Sequence, residues 1–101
     1  MNKLFVSGNV TKDPEFNGAA EKSVASFTVA VNENKDDTMF LNAVCFGKLA
    51  EVVNEYIVKG TKVCIEGRLN ISYYTDKKDV KRSNTRVYVD RIDFFNKVVK
   101  E

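Results

Sequence analysis

A chain of 101 residues, 44% hydrophobic and 30% charged, suits one domain with its own core, and its apolar runs are far too short for a membrane helix. It has no histidine, and its two cysteines lie 19 positions apart outside any CxxC pair, which argues against a zinc site and against histidine-based acid–base chemistry. The net charge of +2 is unevenly spread, with four basic and six acidic side chains in residues 1–46 against twelve and eight in residues 47–101, so the second half suits an anionic partner.

The first residues, Met1-Asn2-Lys3-Leu4-Phe5-Val6, enter strand-like alternation without the apolar stretch of a secretory signal, so a cytoplasmic protein is expected. Leu4 to Val10 alternates with the period of a strand. Thr11 to Glu15 breaks it at Pro14, and Asn17-Gly18 reads as a turn. Ser23 to Val31 is the second predicted strand, and the apolar-free Asn32 to Asp37 a hairpin tip. Thr38 to Phe46 is the third, with Phe40, Asn42, Val44 and Phe46 on one face and Leu41, Ala43 and Cys45 on the other. Periodicity alone favours the core for Phe40 and Phe46, which share their face with Val44.

One helix is predicted next. Leu49, Val52, Val53, Tyr56 and Ile57 form an apolar stripe, and Gly60 fits the left-handed residue that closes a helix, with Lys59 near the negative end of its dipole. About three turns are too short to persist without packing. Thr61 to Tyr74 is the longest β-like segment, with a bulge or bend expected at Gly67. Thr75 to Asp79 reads as a charged hairpin tip and Asn84 to Phe95 as the last strand. The two cysteines are expected to be reduced and to serve as small hydrophobes.

Five strands with one helix between the third and fourth describe a small closed barrel plugged at one end: an all-β oligonucleotide-binding (OB) fold spanning residues 1–101 as a single domain. Parallel β-α-β folds need more helices, and sandwiches more strands. No phosphate loop, nucleophile elbow or metal-ligand cluster is present, so neither an enzyme nor a cofactor is expected. Aromatic residues do alternate with basic ones. Phe40, Phe46, Tyr73 and Tyr74 lie on strand segments, and Arg68, Lys77, Lys78, Lys81, Arg82 and Arg86 cluster towards the C-terminal half. Rings that stack bases beside cations that neutralise phosphates are what a single nucleic-acid strand requires. Alternation turns one of Tyr73 and Tyr74 inward, and the bulge leaves open which.

The stretches Asn2 to Glu15 (NKLFVSGNVTKDPE) and Phe46 to Leu69 (FGKLAEVVNEYIVKGTKVCIEGRL) resemble those of bacterial and phage-type single-stranded DNA-binding proteins, and Thr85 to Ile92 is similar more loosely. The resemblance implies sequence-tolerant binding of single-stranded DNA in replication, recombination or repair, within the bacterial nucleoid or the host cytoplasm. It also implies a homo-oligomer, a tetramer first and a dimer second, paired through the edge of the first strand. It makes Phe46 a stacking residue and places Phe40 and Tyr74 where the family usually has tryptophan. A third such position falls near Lys35, where the stacking contact is lost or replaced by a phosphate contact. Charge contacts map onto Lys3, Lys12, Lys48, Lys59 and Arg68, and less firmly onto residues 77–86. The family's linker and acidic tail have no counterpart here, so tail-mediated partners are not implied. A second reading is a primosome-type assembly module that holds protein partners and binds DNA modestly.

Overall fold

The computed structural model describes residues 1–19, 22–34 and 36–94. Its elements in chain order are β1 (Leu4–Val10), β2 (Glu15–Ala19), β3 (Lys22–Asn32), β4 (Thr38–Phe46), α1 (Lys48–Tyr56), β5 (Lys62–Thr75) and β6 (Lys81–Phe94). All strands join one sheet in the order β1-β5-β6-β4-β3-β2. Asn9 and Val10 of β1 also pair with Ala30 and Val29 of β3, which closes β1, β3, β4, β6 and β5 into a ring. The expected five-stranded OB barrel is present, and α1 lies between the third and fourth strands of that ring.

Alternation decides what the ring encloses. Ala25, Phe27 and Val29 of β3, Ala43 and Cys45 of β4, Val63 and Ile65 of β5, and Val87 and Val89 of β6 point inward and are buried. Helix α1 closes one end by burying Ala50 and Val53, and Ile57 just beyond it is fully buried too. Burial is worth about 1.5–3 kcal/mol for a side chain such as Val53 or Ile57, more than any propensity term in a nine-residue helix. Leu49 and Val52 of the predicted stripe are half-buried, and Tyr56 is half-exposed, its ring stacked 6.0 Å from that of Phe94.

Two sequence expectations are corrected and a third is sharpened. Residues 15–19 are a strand rather than part of a turn: β2 pairs with β3 from Glu15–Ser26 to Ala19–Lys22, beyond the stretch of β3 that β1 covers. Helix α1 ends at Tyr56, where Ile57 turns extended (φ −94°, ψ 131°) to enter the core. Gly60 (φ +92°) therefore serves the following turn, where its N–H donates to the Val10 carbonyl. Finally, the register shift expected at Gly67 is there, but the extra residue is Asp90 on β6: Glu66 faces Arg91, and Gly67 faces Val89. A Cβ on Gly67 would collide with the Tyr88 carbonyl oxygen, so the strands approach too closely there for any side chain.

Candidate nucleic-acid interface

The face of the barrel opposite the core follows from the pairing register, because residues directly across a ladder share a face. Ser26 of β3 faces Val44 of β4, Val44 faces Tyr88 of β6, and Tyr88 faces Arg68 of β5. The next row runs Thr28, Asn42, Arg86 and Asn70. Phe46 and Phe40 stand on the same face at the two ends of this stretch of β4, and Tyr74, paired with Arg82, continues it along the β5–β6 hairpin. The face is therefore aromatic at its margins and polar in the middle.

Phe46 is 52% exposed and Phe40 64%, so the periodicity reading that put them in the core is wrong. Leu41, Ala43 and Cys45 supply the core side of β4, and Val44 is only half-buried. Phe46 meets the ring of Tyr88 at 5.8 Å between centroids, tilted 51°. The Arg68 guanidinium carbon stands 5.9 Å from the centre of the same Tyr88 ring and is held from the side by Asp90 at 3.5 Å. Tyr88 was missed as a site residue, although its alternation against buried Val87 and Val89 places it on the outer face.

The chain turns from strand to helix at Phe46-Gly47-Lys48. Gly47 has φ +66° and ψ −137°, a conformation few residues with a Cβ adopt, and no side chain caps the helix there. Its N–H donates to the Ser23 carbonyl at 2.9 Å, and its own carbonyl accepts from the Glu51 N–H at 3.2 Å. The turn places Lys48 at the first position of α1, two residues from Phe46.

Tyr73 and Tyr74 take opposite faces. Tyr74 shares the Phe46 face; Tyr73 pairs with Ser83 and lies on the core side with Ile71 and Lys81. Facing the core side does not bury Tyr73, because the hairpin runs past the end of the barrel, and it remains 78% exposed. At the hairpin tip, Asp76 Oδ1 accepts from the N–H groups of Lys78 and Val80, and Arg82 Nε donates to Asp76 Oδ2 at 2.7 Å. The Arg82 guanidinium, then the Val80 N–H, hold the Asp76 carboxyl below the usual carboxylate range.

The remaining cations are spread more widely. Arg86 stands in the polar centre, with Lys12 along a groove beside it. Lys77 and Lys78 sit at the hairpin tip, and Lys81 lies on the Tyr73 side. Lys59 follows the helix, its N–H bonded to Asp13 Oδ1 at 2.8 Å. Lys3 is drawn to Glu66 at 3.1 Å, and between the Leu4–Gly67 pair and the Asn2–Leu69 hydrogen bonds it lies beside Arg68. Lys35 lies outside the described residues.

The groove beside Arg86 holds about 470 Å³. Glu15 stands on its β2 side and Asn84 with Arg86 on its β6 side, over Ser26, Thr28 and Asn42. Thr28 Oγ1 donates to Asn42 Oδ1 at 3.2 Å, a bond that does not use the amide nitrogen of Asn42. Among the described residues no cluster suited to a metal ion is found.

The Single-strand binding protein family matches residues 1–95. The chain belongs to this family. It is similar to the single-stranded DNA-binding protein of Clostridium perfringens, 37% identical over 95% of this chain and 67% of the relative. It is likewise similar to that of Fusobacterium nucleatum, 35% identical over 93% of this chain and 66% of the relative. The chain thus spans about two thirds of the length of these relatives. The family is one of binding proteins rather than enzymes.

Proposed function

We propose that this member of the single-strand binding protein family binds single-stranded DNA, with Phe46, Tyr88, Phe40 and Tyr74 stacking on bases. Arg68, Arg86, Lys12 and Lys48 neutralise the phosphates beside them, and Lys77, Lys78 and Arg82 extend the contact along the hairpin. The observation that carries this reading is the gathering of four exposed or half-exposed rings and several cations on one outward sheet face. Exposed aromatic rings cost solubility unless something covers them, and a base covers a ring without demanding a sequence. Lys59, farther from this face, contributes longer-range attraction, and Lys3 adds a cation beside Arg68.

Fluorescence anisotropy with a labelled dT oligomer and a duplex of equal length, at several salt concentrations, tests the reading. The single strand should bind far more tightly, with an affinity that falls steeply as salt rises. Equal affinity for the two would overturn it. Modest binding with a protein ligand recovered instead would favour the assembly-module reading.

The same reading places the protein on exposed single strands during replication, recombination or repair in the cytoplasm. It acts there as a homo-oligomer, a tetramer first and a dimer second. Along Leu4–Ser7, β1 pairs with β5 on one side, and among the described residues its ladder with β3 is confined to Asn9 and Val10, with Gly8 packed against Ala30. That open edge suits pairing with a second copy. Light scattering checks the assembly, and a strict monomer would count against it.

A further inference from the structure

The polar groove carries a group that neither stacking nor phosphate neutralisation uses, the carboxylate of Glu15. Among the described residues Glu15 makes no ion pair, and neither does Arg86 on the opposite side. Between them lie β3 and β4, and Glu15 stands in the row of Ser26, Val44 and Tyr88, one row from Arg86, so three strand spacings and a two-residue offset separate the two Cα atoms by roughly 16 Å along the sheet. A glutamate and an arginine reaching in from the two sides leave room for one flat heterocycle. A carboxylate repels the DNA backbone, and Lys12, which lines the same groove, can hold that backbone to one side, so what meets Glu15 is a base.

We propose that this groove reads the edge of one guanine, with Glu15 accepting from its N1–H and N2–H2 groups and Arg86, which serves phosphate where no guanine enters, donating to its O6 and N7. Guanine alone presents two neighbouring donors on one edge and two neighbouring acceptors on another. Thymine offers one N–H between two carbonyls, so the second carboxylate oxygen would face a lone pair. Cytosine places its single donor group beside two acceptors on one edge, and adenine has acceptors on both sides of its amino group. The Asn42 amide nitrogen, left free for a ligand by the bond from Thr28, adds a further donor on the floor of the groove. The result is a modest preference superimposed on sequence-tolerant stacking, and it rests on the single-strand reading above.

The test compares dT oligomers that carry one central dT, dG, deoxyinosine or 7-deaza-dG; a single purine cannot form a guanine quadruplex. The dG oligomer should bind about five-fold more tightly than all-dT, or better, the span expected for a bidentate contact. Inosine lacks the N2 amino group and 7-deaza-dG lacks N7, so each should lose a large part of that gain. Glu15→Gln should remove the discrimination between dG and inosine while leaving dT binding within about two-fold, as befits an exposed residue. Tight dT binding with equal affinity for all four oligomers would overturn the inference and leave the single-strand reading standing. If Glu15→Gln raised affinity for every oligomer equally, Glu15 would only repel phosphate, and the inference would also fail. No binding to any oligomer would overturn the single-strand reading itself, and the guanine site with it.

Discussion

The rings of Phe46 and Tyr88 meet at 5.8 Å across the parallel junction of β4 and β6, where Val44 and Tyr88 are direct partners. Each ring limits the rotamers of the other, and Arg68 packs over Tyr88 from β5. A platform held this way loses little side-chain entropy when a base stacks on it. Phe46→Ala should weaken oligo-dT binding by about 1–3 kcal/mol, and Tyr88→Ala by a comparable amount. Because the rings touch, the double variant should lose less than the sum of the two. Strict additivity in anisotropy titrations would show that the two residues act independently.

Tyr73 and Tyr74 are sequence neighbours with opposite orientations, and only Tyr74 joins the face that carries Phe46. Tyr74→Ala should therefore cost about 1–3 kcal/mol of single-strand affinity. Tyr73→Ala should cost less than half as much. Equal losses would mean that DNA follows both sides of the hairpin.

The barrel was legible because its signals are local and agree: alternation in four of the ring strands, a single 3.6-period stripe, and turn residues between them. Ile57 also belongs to the predicted stripe, and its burial is what ends the helix early, a tertiary demand that the periodicity of α1 does not carry. Strand β2 escaped because Glu15-Phe16-Asn17-Gly18 sets one strand former, Phe16, among residues depleted in strands, and it is held by its pairing with β3. At the site, the sequence could show that Phe40 and Phe46 share a face but not which face points inward, since Val44 marks one side and Ala43 with Cys45 the other. Tyr88 was obscured for a related reason: its partners Val44 and Arg68 come from strands distant in sequence.

Asp76 organises the hairpin tip by accepting from Lys78, Val80 and Arg82 at once. Its carboxyl is held below the ordinary range chiefly by Arg82, so the folded tip prefers the ionised form. The stabilisation is fully present above the unfolded value, about 3.9, and is lost as pH falls through the lower folded value. In a pH titration followed by NMR, the Lys78 and Val80 amide signals should move together, with a midpoint below that of a free aspartate. Arg82→Gln should raise the midpoint. An unchanged midpoint would remove Arg82 as its cause.

Gly67 sits where β5 and β6 shift register, and a Cβ there would strike the backbone oxygen of Tyr88. A backbone atom in a closed ring cannot swing aside as the end of a side chain can. Gly67→Ala should destabilise the fold by about 1–3 kcal/mol, the usual range for overpacking. Because Tyr88 must shift, single-strand affinity should fall as well. Urea denaturation with an unchanged midpoint would show that the bulge absorbs the methyl group.

Cys45 and Cys64 separate by burial: Cys45 is fully enclosed by the barrel, and Cys64 lies half-buried on the outer side of β5. Burial pushes the Cys45 thiol up to about 12, so almost none of it is thiolate near neutral pH. An alkylating reagent at pH 8 should modify Cys64 first and reach Cys45 only through opening of the barrel, at a rate that rises with added denaturant. The raised value also sets a direction for stability. The neutral thiol is favoured in the fold, so its contribution is complete below the unfolded thiol value, about 8.5, and declines as pH rises above it. Mass spectrometry of partly alkylated protein separates the two sites, and simultaneous labelling of both at low denaturant would show a barrel far looser than the packing around Cys45 requires.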